Sequence, residues 1–112
     1  MQFEKLTIKS QEALAEAQSQ ASSRGHSRIE PAHLLQALLG QPEGSTVPVL
    51  QKLGIGLEVL RADVERLLES IPKVSGGSQA QLSPALSRVL ETAFAEAAGL
   101  KDEYVSTEHL LL

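Results

Sequence analysis

Ile29-Glu30-Pro31-Ala32-His33-Leu34-Leu35 returns, with the chain shifted by 76 residues, as Val105-Ser106-Thr107-Glu108-His109-Leu110-Leu111. The same shift lays Leu6-Thr7 on Leu82-Ser83, Ala13-Leu14 on Val89-Leu90, Ala17 on Ala93 and Ala21 on Ala97. One register serves both ends of the match, which marks an internal duplication rather than an accident of composition.

Each copy opens with a capped helix. Thr7 and Ser83 are hydroxyl residues where an N-cap is wanted, and Pro84 suits the first helical position behind Ser83. In the second copy Leu86, Val89, Leu90, Ala93, Phe94 and Ala97 form a stripe at spacings of three and four. The first copy has the weaker stripe Ala13, Leu14, Ala17 and Ala21. Ser22 to Ser27, with Gly25 inside it, breaks the first helix, and Gly99 breaks its counterpart.

Beyond the first break, the pattern predicts a second helix from Pro31 to about Leu39, stopped by Gly40 and Pro42. A short third helix fits Thr46 to Leu53, with Ser45 as cap and Gly54 past its end. A fourth covers Leu57 to Ser70, its apolar face being Leu57, Leu60, Val64, Leu67, Leu68 and Ile71. Ser75-Gly76-Gly77-Ser78 makes the stretch from Pro72 to Gln81 read as a flexible linker. The expectation is an all-α domain: a four-helix repeat at 6–71, a linker at 72–81, and a second, partial repeat at 82–112. The counterparts of Gln36 to Ile71 are missing from the second copy, so the chain reads as a piece of something longer, and completing the repeat would take it to about residue 148.

Composition agrees. The 112 residues are one domain's worth, 42% apolar but only 3% aromatic, with Leu and Ala dominating, which favours close-packed helices over a sheet. The net charge is −4 and the basic residues are scattered, which argues against a nucleic-acid partner or an anionic membrane surface. There is no Cys, no apolar segment behind the N-terminus that reads as a signal peptide, and no run able to span a bilayer. A cytoplasmic location is the expectation.

No phosphate-binding loop, nucleophile elbow or thiol nucleophile is present. His26, His33 and His109 lack the spacing of a ligand set; His33 and His109 are repeat equivalents in the first turn of a helix, where packing or capping explains both. Glu91 and Glu96 fit a solvated helix face. The sequence therefore predicts a binding module with no catalytic residue, no metal and no cofactor of its own.

Phe3-Glu4-Lys5-Leu6-Thr7, Ala13 to Gln18, Ile29 to Leu39 and Tyr104 to Leu110 together resemble the Clp amino-terminal repeat domain, found at the front of Clp-family unfoldases. Ile71-Pro72-Lys73-Val74 before a Gly/Ser linker resembles the ClpB branch. The resemblance implies two pseudo-symmetric four-helix repeats, tethered in the parent to a homohexameric ring that binds ATP in domains outside this chain. It further implies unfolded or aggregated polypeptides as substrates and cooperation with an Hsp70-type chaperone system.

The residues that the resemblance links to substrate handling are Thr7, Asp102 and Glu108. Each has a structural alternative: Thr7 as N-cap, Asp102 in a turn, Glu108 on a helix dipole. Leu14, Leu90 and Leu110 are candidates for lining an apolar groove, with plain core packing the alternative for each. Two rival functions stand beside this one. A ClpA- or ClpC-like domain would dock an adaptor of a protease, and Thr107-Glu108-His109-Leu110 resembles that branch as well. A small metal or redox enzyme would need ligand pairs on facing helices.

Overall fold

Thr7 sets the first helix going. Its Oγ1 accepts a hydrogen bond from the Ser10 N–H at 3.2 Å and donates to Ser10 Oγ at 3.0 Å, closing the N-terminus of α1, Ile8–Ser23. In the computed structural model, which describes residues 6–41, 44–74, 80–99 and 109–110, the repeat equivalent does the same. Ser83 Oγ accepts from the Leu86 N–H at 3.0 Å. Gly25, at φ +75°, turns the chain out of α1 in a left-handed conformation that an L side chain resists.

The chain then forms a two-residue strand, β1 (Arg28–Ile29), and enters α2, Pro31–Leu39. Pro31 occupies the first turn, where its missing N–H costs nothing. His33 reaches back to accept the Glu30 N–H on Nδ1 at 2.8 Å, the place a Glu or Gln takes in an ordinary capping box. Helices α3 (Thr46–Lys52) and α4 (Leu57–Glu69) follow, then a second short strand, β2 (Gln81–Leu82), and α5, Pro84–Gly99. His109 and Leu110 are helical and buried.

Helix α2 is the hub, and α1, α3, α4 and α5 all pack against it. It can serve four neighbours because His33, Leu34, Ala37, Leu38 and Leu39 are all buried on a nine-residue helix. A single core joins both copies: Ala13, Ala17, Ala21, Leu34 and Leu38 meet Leu86, Leu90, Ala93, Ala97 and Leu110. Each fully enclosed leucine contributes about 1.5–3 kcal/mol by leaving water. Arg24, at the end of α1, clamps α4 through both oxygens of Glu65 at 2.7 and 3.0 Å, and Gln36 adds an amide donor to the same carboxylate.

Helix bounds agree with the expectation to within a residue or two, and the all-α architecture stands. Four details differ. The two copies are joined by a parallel strand pair, with Arg28 opposite Gln81 and Ile29 opposite Leu82. The described parts of the linker are fastened, since the Val74 N–H donates to Gly25 O at 2.8 Å and Gln81 lies in β2, while 75–79, the Gly/Ser stretch expected to be flexible, lies outside the described residues. Ser45 precedes α3, but its side chain makes no capping hydrogen bond. On α4 only Val64 and Leu68 are buried, while Leu67 is 56% exposed, because the helix turns a narrower edge to α2 than its apolar stripe suggests.

Candidate functional site

Along the seam between the copies runs an open groove of about 550 Å³. Helix α1 forms one wall with Gln11, Leu14, Ala15 and Gln18, successive positions on one helical face. The strand pair forms the other wall and the floor: Ile29 and Ala80 are buried beneath it, and Leu82 and Gln81 stand at its edge. Leu14 and Leu82 pack on the core from one side and face open space on the other. The seam has this shape because α1 presents small residues inward; Ala13, Ala17 and Ala21 let it sit low against the core, and Leu14 is left beside the strands.

The polar groups of the groove are amides. Gln11 Nε2 donates to the Leu6 carbonyl at 3.0 Å, and Gln18 Nε2 lies 3.5 Å from the Ala80 carbonyl. None of the described residues lining it is ionisable, so the groove offers apolar surface rimmed by hydrogen-bonding side chains.

Thr7, half-buried, caps α1 and is engaged with Ser10. Leu14 lines the groove. Leu90 is fully enclosed at 0% exposure, so it presents no surface to a ligand. Leu110 is also buried, but it borders a separate apolar cleft of about 340 Å³ between α2, α4 and α5, with Leu35, Val64, Leu67 and Val89. Groove and cleft share no residue. Asp102 and Glu108 lie outside the described residues. The groove's strand side was not anticipated: two-residue strands carry no periodicity, and the one available signal was Leu82 standing in register with Leu6 at the edge of each copy.

Groups with shifted protonation lie elsewhere. Burial lowers the pKa of His26, helped by the positive charges of Arg24 and Lys73; burial also lowers that of His33, with His26 adding to it and Glu30 opposing. The hydrogen bond from Arg24 lowers that of Glu65. No group of three or more His, Cys, Asp or Glu side chains able to hold a metal occurs among the described residues. No helix among them is long and apolar enough to cross a membrane.

The duplicated helical unit, with its paired hydroxyl caps and its seam of parallel strands, can now be compared with known families. The model of the Clp repeat (R) N-terminal domain covers residues 5–112. The chain belongs to that family. The chaperone protein ClpB of Rhodopirellula baltica is 44% identical over 110 residues, 98% of this chain. The chain spans 12% of that relative's length. The N-terminal domain of the ClpV1 ATPase from an E. coli type VI secretion system superposes with a TM-score of 0.90 at 26% identity, covering 97% of this chain and 66% of that one. A ClpV N-domain in complex with a VipB peptide superposes at 0.79 with 23% identity, covering 97% and 66%; at that identity the likeness is one of fold. This Clp N-domain is thus of the ClpB-like kind by sequence, and its fold is shared with ClpV.

Proposed function

We propose that this domain captures unfolded or aggregated polypeptide in the seam groove and presents it to the ATPase ring of a ClpB-type disaggregase. The observation that carries this reading is Leu14: a large apolar side chain beside buried Ile29 and Ala80, in an open groove rimmed by amides and free of charge. Such a surface suits extended apolar segments of many sequences, because unfolded chains share exposed apolar groups and little else. Glutamine amides along the rim can meet the backbone of a bound segment without reading its side chains. The ClpV N-domain, which shares this fold, forms a complex with a VipB peptide, and this supports peptide binding as a use of the fold. The parent is then a cytoplasmic homohexamer with ATP in its other domains, working with an Hsp70-type system. Thr7, Asp102 and Glu108 are the further contacts proposed for it, and Leu110 marks the cleft as a secondary apolar surface.

The test is an NMR titration of the isotope-labelled chain with a permanently unfolded apolar polypeptide. Shifts concentrated at Leu14, Gln18, Ala80 and Leu82, with affinity on the order of tens of micromolar, are expected, since ordering a disordered partner offsets much of the burial. Leu14→Ser should weaken binding severalfold without unfolding the domain. Shifts confined to the Leu110 cleft, or none from a folded chain, would sink the groove assignment and favour adaptor docking of the ClpA or ClpC kind.

A further inference from the structure

Between the end of α1 and the start of α2, two buried imidazoles form a chain of hydrogen bonds with only one consistent set of protons. Glu30 N–H can only donate, so His33 Nδ1, 2.8 Å away, must be bare. A neutral His33 then carries its proton on Nε2, which lies 2.8 Å from His26 Nδ1. His26 Nδ1 is therefore the acceptor, and its own proton sits on Nε2, a buried atom with no partner among the described residues. The rings are 3% and 0% exposed, with centroids 5.0 Å apart.

This chain has no place for an additional proton. Adding one to His26 Nδ1 sets it against the Nε2–H of His33; moving the His33 proton to Nδ1 to make room sets that against Glu30 N–H. Either way two donors face each other and a bond is lost. The surroundings add to the conflict. Arg24 closes α1 beside the pair, Lys73 approaches from the linker, and Arg28 of β1 is exposed nearby in the chain. Among the described residues Glu30, at the start of α2, is the one acid acting directly on the pair, while Glu65 of α4 is occupied by Arg24 and Gln36.

His26 also sits where the linker is fastened. The Val74 N–H bonds Gly25 O at 2.8 Å, and a Cβ placed on Gly25 would lie 3.6 Å from Lys73 Cβ. We infer that the His26–His33 pair is a proton-sensitive latch, which holds the Lys73–Val74 strap against the α1–α2 corner while both rings are neutral and releases it when either is charged. Because the folded rings resist the proton and the unfolded ones accept it near 6.5, stability is full above that pH and falls as pH drops through it.

The experiment uses the whole chain. Ring nitrogen NMR at pH 7.5 should show both histidines as the Nε2–H tautomer. The protection factor of the Val74 amide, which already removes the intrinsic pH dependence of exchange, should fall about tenfold between pH 7 and pH 5, while that of Leu68 in α4 holds. His26→Gln, which keeps an acceptor for His33 and cannot charge, should flatten the Val74 response. An Nδ1–H tautomer on either ring overturns the inference, as does protonation of the rings with Val74 protection unchanged. If His26→Gln does not fold, the wild-type tautomers and protection factors decide the matter alone.

Discussion

Helices α1 and α5 occupy the same register of the two copies, begin behind the same kind of cap and have the same length, yet they pack differently. The buried positions of α1 are Ser10, Ala13, Ala17 and Ala21; those of α5 include Leu86 and Leu90 in place of Ser10 and Leu14. Small inward residues bring α1 close to the core and leave Leu14 at the rim of a groove. Large ones make α5 a pillar of the core and enclose Leu90 completely. Duplication preserved the frame, and side-chain size then divided the labour: one helix anchors and the other offers a surface.

The sharpest break of this comparison is to truncate the two equivalent leucines. Leu90→Ala should cost about 3 kcal/mol or more, since it leaves a cavity in a closed core, whereas Leu14→Ala should cost about 1 kcal/mol. Urea unfolding of the two variants measures the gap, and equal losses would mean that α1 and α5 share one role after all. Next come the caps. Thr7→Ala and Ser83→Ala should each cost about 1 kcal/mol, with Ser83 the dearer because it is buried and Thr7 is not. Thermal melts at neutral pH check the order.

The smallest effect concerns the clamp that seats α1 on α4, which has no counterpart at α5 among the described residues. With the Glu65 carboxyl held below its ordinary range by the bond from Arg24, the clamp stabilises above pH 4.5 and fades as pH falls through the lowered value. Glu65→Gln should reduce this acid dependence slightly, and added salt should mimic the loss, because the pair is partly exposed. Melting curves at pH 6 and pH 3.5 in low and high salt test it.

Much of the architecture was legible because its signals are local. Pro31 and Gly40 bound α2, and Thr7 and Ser83 announce their helices at matching places. What escaped reading depends on groups that every residue carries or on relations across the fold. The bond from Val74 N–H to Gly25 O joins two backbones and leaves no mark on the side chains, so nothing in the stretch from Pro72 to Gln81, which reads as a flexible linker, announced that Val74 is fastened. The exposure of Leu67 was hidden for another reason: an apolar stripe shows which face of a helix turns inward, not how much of that face a neighbour covers. Leu14 and Leu90 are indistinguishable as repeat equivalents, and only the volumes of their neighbours separate the groove residue from the core residue.

The short parallel pair of β1 and β2 has a kinetic consequence. Bringing Ile29 beside Leu82 closes a circuit of about fifty residues, at an entropic cost on the order of 3 kcal/mol before any contact across the seam repays it. The α1–α2 corner, built from neighbours in the chain, can assemble first and serve as the platform, whereas the seam must wait for the whole first copy. The groove is therefore among the last features to form as the chain folds. A change in the strand pair registers chiefly in how fast the domain comes apart, and hardly in how fast it assembles.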